Sequence, residues 1–551
     1  MKNPILHAAN SRSPGSGESH AGEIRGALGT ISRHSPLPSS PLARRVRTLL
    51  ASLGPGLIVM SGDNDAGAFA IYTRAGQNYG TALLWTLLLL VPVIYINQEM
   101  VLRLGAVTGV GHARLIFERF GRFWGAFSVI DLFLLNALTI VTEFIGISLG
   151  LGYLGIPKLL GVGAAAILIM LTASTGNFRR FERFTLFLVF GSLLLVPLFF
   201  MIHPPMHQMG HDFFVPGIPK GGHPEDILLL VIAIVGTTIA PWQLFFQQSY
   251  VIDKRITTRF IRYERIDLWI GIAVVVAGAA AMMGIAAKTF AGHPEFGNFT
   301  DAGAVAATIS KYHGHLAGVL FAVALIDACI VGASAVSLST AYALGDVFSM
   351  GHSLHKKPTE ALGFYAFFFG LIALAALLVT SPGVPLGLLT NMVQTLAGVL
   401  LPSATVFLLL LCNDRAVLGP WVNSRAVNIF TAVVVAILVM LSAILTVSEL
   451  FPSLRWKTMV TLIAAGLLIG SLTALVVRIV ERKNSPEPPT LEETVDASRE
   501  HWKMPPLDRL PPGRLSLSSR VWMTVLRSYL AVAGGLLFFK LIRLAFSGEA
   551  S

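Results

Sequence analysis

Long apolar runs constrain this chain more than any other feature. A run of roughly 20 apolar residues is the length of helix that crosses the hydrocarbon core of a bilayer. Within lipid, a spanning segment must satisfy its own backbone hydrogen bonds. Read between polar breaks, the 551 residues contain about twelve such runs, near 52–75, 81–103, 124–151, 158–176, 184–203, 226–250, 267–289, 316–346, 361–380, 387–412, 426–449 and 457–480. Charged residues make up 13% of the chain, about half the share in a soluble domain. The fold class predicted is an all-α polytopic membrane protein of about 12 transmembrane helices, with the lipid bilayer as its constant partner.

Outside these runs the composition changes. Residues 1–48 are rich in Ser, Gly, Pro and Arg and lack an apolar core, which predicts a disordered basic tail rather than a signal peptide. Residues 49–482 form the membrane body. Residues 483–518, with "NSPEPP" and "KMPPLDRLPPGR", read as a Pro-rich linker. The stretch 519–551 is apolar but interrupted by Arg527, Lys540 and Arg543, so it reads as a membrane-associated or spanning helix.

The net charge of +11 is spread through short loops, and alternate loops hold most of it. One set contains Arg44, Arg45 and Arg47; Arg114, Arg119 and Arg122; Arg179, Arg180 and Arg183; Lys254 and Arg255; and Lys356 and Lys357. Cytoplasmic loops carry such an excess, which predicts both termini inside. This use of charge argues against nucleic acid as a partner. Cys329 and Cys412 both fall in apolar runs and are too few for a thiolate metal cage.

Two runs are chemically unusual. The first reads "GPGLIVMSGDNDAGAFAIYTRAG", with Asp63, Asn64 and Asp65 between Gly62 and Gly67. A carboxylate at mid-bilayer costs several kcal/mol, on the order of 3, unless it faces protein, water or a cation. Glycines beside it favour an unwound stretch with freed carbonyls, tolerated at this depth only around a cavity. The sixth run, "ILLLVIAIVGTTIAPWQLFFQQSYVID", has Gly236, Thr237 and Thr238 before Pro241, and proline breaks the hydrogen-bond ladder. Breaks in spans one and six predict an inverted five-plus-five repeat with the substrate held between two discontinuous helices. Carboxylate, hydroxyl and carbonyl oxygens suit hard cations such as Mg²⁺, Mn²⁺ or Ca²⁺.

These same residues carry a family likeness. From about residue 50 to 450 the chain resembles the natural resistance-associated macrophage protein (NRAMP) family of divalent-metal transporters, whose fold is a LeuT-like inverted 5+5 helix repeat. "GPG" followed by "DAGAFAIYTRAG" aligns with the family's first-span segment, which has Asp-Pro-Gly-Asn. The resemblance places Asp65 on the metal-binding aspartate, with Ala66 for the proline and Ala68 for the metal-binding asparagine. "TTIAPWQLFFQQS" lies over Ala-x-x-Met-Pro-His-Asn, so Thr237 takes the carbonyl-donating position, with Thr238 beside it. Ala240 replaces the methionine, and Pro241 is kept. Trp242 and Gln243 stand for His and Asn, and Gln247 stands for a second histidine implicated in proton movement. In "QTLAGVLLP" Gln394 matches a residue that joins the occluded site, and in "VTEFIG" Glu143 matches the proton-pathway glutamate, while Ile140 replaces its acidic partner. The implied metal set is Asp65, Ala66, Ala68, Thr237, Thr238, Ala240 and Gln394, with hinges at Gly62, Gly67, Gly236 and Pro241.

The departures shift the expected cargo. A thioether favours soft transition metals, so its replacement by Ala240 removes that preference. Mg²⁺ keeps several waters when bound, and Ala68 and Ala240 leave room for them. The pattern resembles the magnesium-transporting branch related to the main family. Expected is a Mg²⁺ and/or Mn²⁺ importer of the bacterial inner membrane, not an enzyme, needing no cofactor because the cation is the cargo, with a monomer as working unit. A proton-coupled Mn²⁺/Fe²⁺ symporter is the alternative, and a carrier of another small solute on the same scaffold is a further one. Asp65 would repel an amino-acid carboxylate and counts against the last. Asp327, Glu99, Asn97, Asp131, Asn136 and Asp346 are left without assigned roles. The loop histidines His203, His207, His211 and His223 read as solvated.

Overall fold

The computed structural model describes residues 23–32, 42–219, 223–382, 403–450, 502–510 and isolated positions between 458 and 526. Gln394 and most of the expected twelfth span therefore lie outside the described residues. A hairpin of β1 (Glu23–Gly26) and β2 (Gly29–Ser32) leads towards α1 (Leu42–Ser52), α2 (Pro55–Ser61), α3 (Ala66–Tyr79), α4 (Trp85–Thr108), α5 (His112–Phe120), α6 (Arg122–Tyr153) and α7 (Lys158–Ala173). Then come α8 (Phe178–Gly191), α9 (Leu195–Ile202), α10 (Met206–Phe214), α11 (Pro224–Thr238), α12 (Pro241–Asp253), α13 (Ile261–Phe290), α14 (Ala302–His313), α15 (His315–Val347) and α16 (Leu362–Thr380). The described chain closes with α17 (Ser403–Cys412), α18 (Arg415–Leu418) and α19 (Arg425–Leu450).

Among the described residues, eight helical stretches are long and apolar enough to cross a bilayer. The shorter apolar helices α7 and α17 and the pair α2–α3 occupy further predicted spans. Among the described residues, spans one and six each break into two helices where the Gly/Asp and Pro breaks predicted. Span six follows span one by five positions, with four spans between them. An odd offset reverses direction, so the two halves enter the membrane from opposite faces.

Close backbone approach holds span one against α13. Without a hydrophobic drive between helices in lipid, small residues let backbones pack tightly. A Cβ on Gly56 would come 2.8 Å from the Leu268 backbone, and one on Gly271 would come 2.7 Å from the Gly56 carbonyl. Polar chemistry then fixes the register. The first N–H groups of a helix have no intrahelical acceptor. In α2 the Asp267 carboxylate of α13 accepts them, from Gly54 (3.1 Å), Gly56 (2.7 Å) and Leu57 (3.3 Å).

One expectation changes at the face that carries the N-terminus. Within the segment expected to be disordered, residues 23–32 form an ordered hairpin. Ile24 is buried against Val251, Ile256 and Phe260, and at the turn Ala27 donates its N–H to Glu182 and accepts from Arg183. Lys254, counted from sequence among the basic loop residues, is wholly buried. Its Nζ lies 2.7 Å from Glu182 Oε1 and donates to the Ser52 (2.8 Å) and Leu53 (2.9 Å) carbonyls. Hairpin, α8 and α12 thus all grip the start of α2. Residues 502–510 of the linker also pack, with Trp502 against Gly419, whose positive φ of 52° suits glycine.

Candidate metal site

The first break spans the four residues Gly62, Asp63, Asn64 and Asp65, all buried. Gly62 caps α2, and Asp65 begins α3 as its N-cap, with Oδ1 accepting from Ala68 N–H at 2.9 Å. A second carboxyl from α6 lies beside it: Glu143 Oε2 accepts from the Ala66 N–H, next in the chain to Asp65, at 3.2 Å. Two carboxyls so close hold either a proton or a cation between them. The positive end of α3 favours negative charge at this place. Among the described residues, no Lys, Arg or His is paired with Asp63, Asp65 or Glu143.

The second break is short. α11 ends at Thr238, Ile239 and Ala240 run extended, and Pro241 opens α12, where its missing N–H costs nothing. Thr237 is buried at this break. Thr238, expected among the ligands, has its hydroxyl bonded to Tyr72 (2.7 Å) and the Ile234 carbonyl (2.6 Å). That bond ties α3 to α11. Two hinge expectations shift. Gly67 lies in the first turn of α3, and Gly236 lies within α11, so Gly62 and Pro241 bound the breaks.

Asp63 was not assigned from sequence, and its partner comes from span six. Gln243 Nε2 donates to Asp63 Oδ1, while Gln243 Oε1 accepts from Gln98 Nε2 of α4 at 2.9 Å. Nothing local signals this triad, since 180 residues separate Asp63 from Gln243. Other polar residues have structural partners. Glu99 pairs with Arg103 and Arg265, Asp131 accepts from Ser403, and Asn136 donates to Thr340. Asp346 pairs with His352 at 3.0 Å. Burial pushes the His352 imidazole down, but its bond and attraction to Asp346 push it up by more, so it sits above its usual value.

Among the described residues, no three His, Cys, Asp or Glu side chains are arranged as a metal cage. A cation here would be held by one or two carboxylates, with carbonyl, amide and water oxygens completing its shell. That is the hard-ligand chemistry expected from the sequence.

Comparison with known proteins agrees with this geometry. The profile described as "Natural resistance-associated macrophage protein-like" matches residues 56–448. The "Divalent metal cation transporter MntH" of Ralstonia nicotianae is 31% identical over 414 residues, covering 70% of this chain and 88% of that protein. The protein of the same name from Yersinia enterocolitica is 27% identical over 424 residues, covering 74% and 96%. Among solved structures, the manganese transporter of Eremococcus coleocola superposes with a TM-score of 0.62 at 21% identity, over 84% of this chain and 98% of that one.

Proposed function

We propose, on the premise that this chain belongs to the natural resistance-associated macrophage protein family, that it imports Mg²⁺ and Mn²⁺ by alternating access around Asp65. The single observation that carries this reading is the Asp65–Glu143 carboxyl pair at the N-terminus of α3, buried at a helix break with no basic partner among the described residues. An uncompensated anion at that depth is costly unless a cation visits it.

In this reading the ion sits between the breaks, with Asp65 as the charged ligand. Backbone oxygens around Ala66 and Thr237 and retained water supply the rest, and Ala68 and Ala240 leave space for that water. Gln394 joins from span ten when the site closes. The N-terminal face is cytoplasmic, the membrane is the bacterial inner membrane, and the body is residues 49–482. A monomer suffices, because both breaks lie in one chain.

Magnesium enters the reading through two absences. Relatives are named for manganese or divalent metals, but Ala240 offers no thioether and Ala68 no amide. A divalent ion gains about 4.6 kcal/mol from a 100 mV potential, so import needs no second ion. A second reading, proton-coupled Mn²⁺ or Fe²⁺ symport, draws on the Asp65–Glu143 contact, where metal binding would expel a shared proton.

Purified protein in liposomes decides between them. Mg²⁺ and Mn²⁺ are both expected to enter in response to an inside-negative potential, with internal pH unchanged. Acidification in step with the metal would favour symport. Failure of both ions to enter would remove the proposal. We further expect Ala240→Met to raise uptake of Mn²⁺, Fe²⁺ and Cd²⁺ relative to Mg²⁺, because a soft sulfur then faces the ion. An unchanged ratio would show that residue 240 does not face the ion.

A further inference from the structure

We propose that Asp63, together with Gln98 and Gln243, forms a second station for a partly hydrated divalent cation, on the N-terminal side of Asp65. This rests on the reading of the chain as a divalent-metal carrier and adds a site to it.

Asp63 is 1% exposed. One of its oxygens accepts from Gln243, while the other, Oδ2, is buried without a partner. Gln98 shows the same half-satisfaction: its Nε2 is spent on Gln243, and its Oε1 is buried and unpaired. Buried polar atoms are almost always partnered in native proteins. A carboxylate serving only to brace helices would place both oxygens on donors, as Asp267 does at the start of α2. Here the donors stop at one oxygen, and two oxygen atoms of hard-ligand type are left over within one hydrogen-bonded network.

The position along the path matters as much as the chemistry. Chain direction puts Asp63 between α2 and Asp65, on the side of the break from which α12 and α4 run towards the N-terminal face. Along α12, Gln247 follows Gln243 by one turn, and both of its side-chain polar atoms are buried and unpartnered. Gln248 comes next, bonded to His112 (2.9 Å) and to the Val110 carbonyl (2.7 Å). Val110 in turn lines a cavity of about 300 Å³ at that face, together with Asp253 and Asp346. Polar side chains of α12 thus lie between the Asp63 network and that cavity. Conduction requires sites strong enough to enter and weak enough to leave. A carboxylate followed by neutral amides grades the attraction in that order, so an ion leaving Asp65 passes to Asp63 before it meets only amides.

The test separates binding from movement. In detergent, Mn²⁺ binding is measured by calorimetry; in liposomes, Mn²⁺ and Mg²⁺ influx is followed with an internal indicator. Asp63→Asn keeps the oxygen that accepts from Gln243 and removes the charge. It is expected to bind Mn²⁺ within about threefold of the unaltered protein while influx falls by roughly tenfold or more. Asp65→Asn is expected to lose binding itself. Gln98→Leu, which leaves both carboxylates intact, is expected to slow influx without weakening binding, and it decides the matter if Asp63→Asn does not fold. Unaltered influx in Asp63→Asn or in Gln98→Leu overturns the proposal. So does loss of binding in Asp63→Asn equal to that in Asp65→Asn, which would merge the two into one site. Unaltered protein that binds no divalent ion would instead remove the parent reading, and the second station with it.

Discussion

Asp65→Ala is expected to abolish Mg²⁺ and Mn²⁺ uptake by reconstituted protein. The carboxylate contributes the charge nearest the proposed ion, in a setting where water screens little. Removing one partner of a buried charge pair costs about 3–5 kcal/mol, which is roughly two to four powers of ten in affinity. Alanine also removes the cap on α3, where Asp65 Oδ1 holds the Ala68 N–H, and a lost cap alone costs about 1 kcal/mol. Asp65→Asn separates the two effects, because its amide oxygen still accepts from Ala68 while the charge is gone. If the cation is the reason for the carboxylate, both variants lose uptake and only the alanine variant loses thermal stability. Uptake retained in Asp65→Asn would mean that the residue serves helix α3 rather than the ion.

Glu182→Ala is expected to be the most destabilising single change outside the site. Glu182 and Lys254 are both fully buried, with 2.7 Å between their charged atoms. Truncating the acid leaves the ammonium bonded to the Ser52 and Leu53 carbonyls, with the Asp267 and Glu264 carboxyls near but not paired to it. The cost of such an orphaned charge is about 3–5 kcal/mol. It should appear as a clear fall in the apparent melting temperature in detergent. Replacing both partners by uncharged residues of similar size, Glu182→Gln with Lys254→Met, should recover much of the loss, since the penalty lies in the unpaired charge rather than in the missing pair. If the single variant melts with the unaltered protein, water reaches Lys254 and the pair is not the anchor described. The hairpin turn at Ala27 shares the same carboxylate, so its docking should loosen in the same variant.

The two breaks were legible from sequence because each is a local anomaly. Two acids and two glycines inside an apolar run, or a Gly-Thr-Thr step before a proline, conflict with an unbroken helix whatever surrounds them. The break of span one and that of span six were both placed to within a few residues for that reason. Other features carried no such signal. Lys254 sits among loop arginines in the sequence, yet its partner lies 72 residues away. The hairpin 23–32 buries Ile24 and Ala27, and Ile24 gains a pocket only once Val251, Ile256 and Phe260 are assembled. The Tyr72 partner of the Thr238 hydroxyl, 166 residues away, is equally invisible in the local pattern.

Sequence alone determined that this chain lives in a bilayer and where the helices of spans one and six fail. Hydrophobic length and backbone chemistry are properties of contiguous residues, and lipid enforces them without reference to distant parts of the chain. Tertiary structure alone decided which polar groups are spent and which are left over. Asp63 and Asp267 are both acids in apolar spans, yet one has its oxygens filled by the end of α2 and the other keeps one bare. That difference depends on which helices meet, and a hydrogen-bond partner supplied from far along the chain leaves no trace in the local pattern.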